Sequence, residues 1–135
     1  MSTDSSDDIH PIFTEKAPLA IGPYSQAMVV GPMVFTSGQL ALDPANPDDG
    51  LVEGGVERQT ERVIQNLAAV LEAAGSGLEQ VVKTTCFLTT MDDFSLFNTV
   101  YARYFPQKPS RSCVAVKQLP RNALVEIEAI ALLKT

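Results

Sequence analysis

The chain has no tryptophan, one histidine, two cysteines and fewer basic than acidic residues, and each shortage removes a class of function. The single histidine, His10, lies in a polar N-terminal stretch, so a Ser-His-Asp triad has no placed base. Cys86 and Cys113 have neither CxxC spacing nor neighbouring histidines, and no metal site is expected. Both fall in apolar, strand-like runs and read as buried free thiols of a reducing compartment. Ten Lys and Arg against sixteen Asp and Glu leave a net charge of −6, half of it in the first ten residues. Nucleic acid needs a basic footprint that this balance does not supply, so no nucleic-acid partner is expected. No apolar run reaches membrane-spanning length, and the N-terminus lacks a basic-then-apolar leader pattern. The expectation is a cytoplasmic protein without a membrane partner. No glycine-rich phosphate loop opens a helix.

What is present describes one folded unit. With 135 residues, 45% of them hydrophobic, the chain suits a single globular domain. Residues 1–10 are Ser- and Asp-rich and are expected to be a disordered acidic tail, leaving 11–135 as the domain. A short extended piece is expected at 11–14. The stretch 17–26 carries Pro18, Gly22 and Pro23, which exclude helix and central strand. It is apolar for a loop and ends in Tyr24-Ser25-Gln26, so it reads as a packed connection or a binding loop. Residues 27–30 and 33–37 form a hairpin around Gly31-Pro32. Gly38, just beyond, leaves room for another group to approach the backbone. A Pro-, Asp- and Gly-rich loop covers 43–55. Val56, Val63, Ile64, Leu67, Val70, Leu71 and Ala74 recur at helical spacing over 56–74, and Gly75-Ser76-Gly77 stops that helix. Residues 81–89 read as a strand. A second helix is expected over 93–104, with Asp92 as N-cap and Phe94, Phe97, Tyr101 and Tyr104 as its core stripe.

The last quarter concentrates the chemistry. Residues 109–117 and 124–130 read as strands, with Pro120-Arg121-Asn122 supplying the turn between them. Strand alternation puts Val125, Ile127, Ala129 and Ala131 on a core face and Glu126, Glu128 and Ile130 on the other. A face mixing carboxylates and aliphatics suits a cleft wall or a subunit interface. Arg111 enters the first of these strands in Pro-Ser-Arg-Ser-Cys, and its planar fork matches a carboxylate. Arg111 and Glu126 admit two readings: a mutual salt bridge, or a substrate-holding cation beside a proton-handling carboxylate. Cys113 lacks an adjacent base and reads as structural rather than nucleophilic. In sum, the pattern β-β-β-α-β-α-β-β predicts an α+β domain, a mixed sheet with two helices on one face.

Six motifs occur in order between residues 17 and 133: Ile21-Gly22-Pro23-Tyr24-Ser25-Gln26, Thr36-Ser37-Gly38-Gln39, Glu72-Ala73-Ala74-Gly75, Val82-Lys83-Thr84-Thr85, Arg111-Ser112-Cys113-Val114 and Val125-Glu126-Ile127-Glu128-Ala129-Ile130-Ala131. Together they resemble the Rid family of reactive-intermediate deaminases, the YjgF-like proteins. The resemblance implies a chorismate-mutase-like subunit that forms a homotrimer around a central barrel, with ligand clefts between subunits. It implies hydrolysis of 2-imino acids, released by pyridoxal-phosphate dehydratases, to 2-oxo acids and ammonia. By position, Arg111 would bind the substrate carboxylate, and Glu126 would position water and transfer protons. Tyr24 would line the cleft, Gly38 and Cys113 would offer backbone contacts, and Ser37 and Asn98 are further binding candidates. No cofactor is implied, because a protonated imine is already electrophilic. A non-catalytic binder of small carboxylates and a ribonuclease are the competing readings; the acidic charge disfavours the second.

Overall fold

Six short runs of alternating hydrophobicity pair into one sheet in the computed structural model, which describes residues 8–135. In chain order the elements are β1 (Ile9–Ile12), β2 (Ala27–Val30), β3 (Met33–Thr36), α1 (Gly55–Ala73), β4 (Val81–Leu88), α2 (Phe94–Tyr104), β5 (Ser110–Ala115) and β6 (Val125–Leu132). The sheet order is β1-β2-β3-β6-β4-β5. Among the described residues only β4 and β5 run parallel; every other pair is antiparallel. This is the expected mixed-sheet α+β fold.

The core lies between the sheet and its two helices. Ala27, Val29, Val34, Cys86, Leu88, Val125, Ile127, Ala129 and Ala131 share one buried cluster with Val63, Ile64, Leu67, Val70 and Leu71 of α1 and Phe97 and Tyr101 of α2. In α1 the apolar gap between Val56 and Val63 is filled by Gln59 and Thr60, both buried. Thr60 returns its hydroxyl to the Val56 carbonyl at 2.6 Å, and Gln59 accepts the Leu124 N–H at 2.9 Å, which fixes the approach to β6.

The structure departs from the sequence expectations at four places. β1 begins at Ile9 and pairs His10 with Val29, so two residues assigned to the acidic tail belong to the sheet; residues 1–7 of that tail lie outside the described residues. The 120–122 turn joins β5 to β6 without making them neighbours, because β4 lies between. Parallel β4 and β5 need a crossover, and α2 supplies it. α2 is preceded by a 3₁₀ turn over Met91–Asp93, capped by the Thr90 hydroxyl accepting the Asp92 N–H at 3.1 Å, so the N-cap of α2 is Asp93 rather than Asp92, and it makes no side-chain cap bond. Finally, a bulge between Val81 and Lys83 breaks simple alternation in β4. Val81 turns into the core at 3% exposure while Val82 is 41% exposed.

Candidate functional site: two half-sites on opposite faces of the sheet

Glu126 and Arg111 are not in contact within one chain. In β6, Glu126 stands opposite Phe87 and Glu128 opposite Thr85, while Ile127 stands opposite the buried Cys86. Arg111 pairs with Thr84 and Cys113 with Cys86 across the parallel β4–β5 ladder. By alternation, Arg111 and Cys113 lie on the helix-facing side, and Glu126 and Glu128 on the open side. The salt-bridge reading of the pair is therefore excluded within the subunit.

The open side carries the first half-site, a cavity of about 1030 Å³ whose lining includes Tyr24, Ser37, Gly38, Arg121, Glu126 and Glu128. Its position depends on two buried amides and a hydroxyl. Gln26, 2% exposed, accepts the Thr14 N–H at 2.7 Å and donates to the Thr14 and Pro18 carbonyls at 3.0 and 2.8 Å. One side chain thus closes the base of the 17–26 loop. Ser37 donates its hydroxyl to the Ser25 carbonyl at 2.6 Å, holding the residue after Tyr24 against the end of β3. Asn66, fully buried in α1, donates to the Leu40 and Leu42 carbonyls at 3.0 and 2.8 Å and sets the opposite wall.

Gly38 has a steric role as well as an open backbone. A Cβ on it would overlap the Glu126 carboxylate, so the carboxylate lies directly over the glycine. Burial, and secondarily the Glu128 charge, hold the Glu126 carboxyl above its ordinary range. Tyr24 remains half exposed at the cavity mouth.

The second half-site is a cavity of about 360 Å³ between α2 and edge strand β5, lined by Asn98, Tyr101, Lys108 and Arg111 among others. Arg111 Nη1 donates to Asn98 Oδ1 at 2.9 Å. Its guanidinium carbon lies 4.8 Å from the Tyr101 ring centre, 5.6 Å from Phe94 and 5.9 Å from Phe97. Three ring faces and an amide hold the cation without neutralising it. Tyr101 is itself fixed by a 2.7 Å hydrogen bond with Thr84. The aromatic stripe of α2, expected only as core, thus also forms the cradle of Arg111. Cys113 is half-buried rather than buried, and its thiol is lowered to about 7, chiefly by a hydrogen bond from Cys86 and further by Arg111.

The supporting amides Gln26, Gln59 and Asn66 escape sequence reasoning because an isolated amide in a polar-looking position has no pattern that marks burial. Among the described residues, no group of three His, Cys, Asp or Glu is placed to hold a metal ion, and no helix is long and apolar enough to cross a membrane.

The Endoribonuclease L-PSP family pattern matches residues 14–133 of this chain. The chain belongs to this family, the Rid or YjgF-like proteins. A RutC family protein of Pyrococcus abyssi is 50% identical over 121 residues, covering 89% of this chain and 94% of its own. The solved structure of a conserved Rid family protein, YyfA, from Yersinia pestis superposes with a TM-score of 0.88 at 44% identity, covering 93% of this chain and 100% of the other. E. coli TdcF, solved with bound serine, gives a TM-score of 0.85 at 39% identity over 93% of this Rid chain and 99% of its own.

Proposed function

We propose that this Rid protein hydrolyses small 2-imino acids to 2-oxo acids and ammonia, in clefts where the Arg111 half-site of one subunit meets the Glu126 half-site of another. The observation that carries this reading is the division itself. One open cavity holds an unneutralised guanidinium and the other a carboxyl with a raised pKa, on opposite faces of one sheet. The Glu126 cavity has a guanidinium of its own in Arg121, but Arg111 is the one that an amide and three rings hold in place, and a second copy brings it to Glu126. The open sheet face supports assembly, since Met28, Phe35, Val82, Val114 and Leu132 are each 37–46% exposed beside the two carboxylates. A closed homotrimer would cover that face and place three equivalent clefts at its interfaces.

The chemistry follows from the two groups. Arg111 pairs with the substrate carboxylate through its fork and orients C2 towards the partner's half-site. Water adds to C2 of the protonated imine as the Glu126 carboxylate takes one of its protons, forming a neutral-hydroxyl carbinolamine. Glu126 then returns the proton to nitrogen, the C–N bond breaks with its electron pair leaving on ammonia, and the hydroxyl proton is lost as the 2-oxo acid forms. A carboxyl with raised pKa suits both transfers near neutral pH. Tyr24 and Gly38 shape the cleft wall around this exchange. The test is release of 2-oxobutyrate when a threonine dehydratase generates 2-iminobutyrate: added protein speeds it. No acceleration by folded, assembled protein contradicts the activity.

The serine bound to TdcF favours a second reading, a small amino- or oxo-acid binder without turnover. Retained 2-oxobutyrate affinity with no rate effect selects it. The family description names an endoribonuclease, and with a net charge of −6 we propose that RNA is not the substrate. RNA cleavage by nuclease-controlled preparations, abolished by Glu126→Gln, would reverse that.

A further inference from the structure

The smaller cavity carries more positive charge than one substrate carboxylate needs. Arg111 and Lys108 both line its 360 Å³ and no acidic side chain does, in a protein of net charge −6. Neither cation takes part in a salt bridge among the described residues. Lys108 also occupies a costly backbone position, with φ at 54° immediately before Pro109. Glycine takes that conformation without strain, whereas a lysine does not. The turn is nonetheless well held: the Lys108 N–H donates to the Phe105 carbonyl at 3.0 Å, and Gln107 Nε2 donates to the Leu78 carbonyl at 2.8 Å. A strained, well-anchored lysine at the rim of a cavity is a placed group rather than an incidental surface charge.

We propose that this cavity is a two-point anion site, selecting 2-imino and 2-oxo dicarboxylic acids over monocarboxylic ones. Arg111 takes the carboxylate next to the reacting carbon, and Lys108 takes the second carboxylate at the other end of the molecule. The assignment rests on the role given to Arg111 above. Arg111 cannot serve both ends, because Asn98 and three aromatic rings fix its guanidinium. Lys108 is exposed, and its flexible four-carbon stem can reach ligands of different length.

Titration calorimetry of the intact protein with 2-oxoglutarate and 2-oxobutyrate tests this directly. The wild type is expected to bind 2-oxoglutarate about fivefold more tightly, the scale of one exposed ion pair. Lys108→Gln should bring the ratio close to one, with 2-oxobutyrate as the internal reference. Lys108→Gly, which also relieves the backbone strain, should do the same, so that a folding defect in one variant cannot mimic the result. A wild-type ratio near one, or a ratio that survives both substitutions, overturns the proposal. Turnover of 2-iminobutyrate on the same preparations keeps the two claims apart. Normal turnover with a ratio of one contradicts the dicarboxylate site alone; an intact ratio without turnover contradicts the deaminase reading alone. Failure of the wild type to bind either acid contradicts the dicarboxylate site, and the same failure without turnover contradicts both.

Discussion

At Glu126 the proposed chemistry and the stability of the fold make opposite demands. A carboxyl whose pKa is raised by burial binds its proton more tightly in the folded than in the unfolded chain. Its effect on stability is therefore absent below the ordinary value of 4.5 and grows unfavourable as pH rises through the elevated one. Glu126→Gln should raise the melting temperature at neutral pH and leave it unchanged near pH 4, as calorimetry at the two pH values will show. The same variant should lower kcat roughly 10²–10⁴-fold with little change in KM, because the amide keeps the shape but moves no proton. A mutual salt bridge with Arg111 would predict the opposite sign for stability. Gly38 gives a second, steric prediction. Gly38→Ala must push the carboxylate aside into the open cavity, costing little stability but a large part of kcat while leaving carboxylate affinity at Arg111 intact. Denaturant melts and product-binding measurements separate those effects.

At the scale of elements, the half-sites are held by backbone segments that polar side chains pin from behind. Asn66→Ala would leave the Leu40 and Leu42 carbonyls without their donor, costing about 1–3 kcal/mol in urea melts and loosening one wall of the larger cavity. Helix α1, the 27–36 hairpin and the core face of β6 are legible from periodicity alone, because each is a local pattern. Strand order is not, since nothing local in residues 110–132 reveals that β4 inserts between β5 and β6. The bulge at Val82 is hidden for the same reason: an extra residue looks like ordinary strand until its partner is known. The opposite facing of the two key residues, however, does lie in the sequence. Arg111 is two positions from Cys113, so an inward Cys113 places Arg111 on the core side, while Ile127 forces Glu126 outward. The cradle of Arg111 required the fold, because Phe94, Phe97 and Tyr101 satisfy the pattern of an ordinary core stripe.

For the whole molecule, one sheet carries a cavity on each face, and the proposed function joins the two into one site. The helix-covered face presents Arg111 at its edge and the open face presents Glu126, so under the proposed function the subunit is complete as a fold and incomplete as a catalyst. The competing account is that each subunit works alone through one of its cavities. Mixing two inactive variants, Arg111→Ala and Glu126→Gln, tests this most directly, with subunit exchange verified by native mass spectrometry. If each site draws Arg111 from one chain and Glu126 from its neighbour, random mixing in equal amounts restores both groups to roughly a quarter of the sites. The account predicts that 2-oxobutyrate release recovers to about that fraction of the wild-type rate. Mixed oligomers that form but stay as inactive as their parents would contradict it.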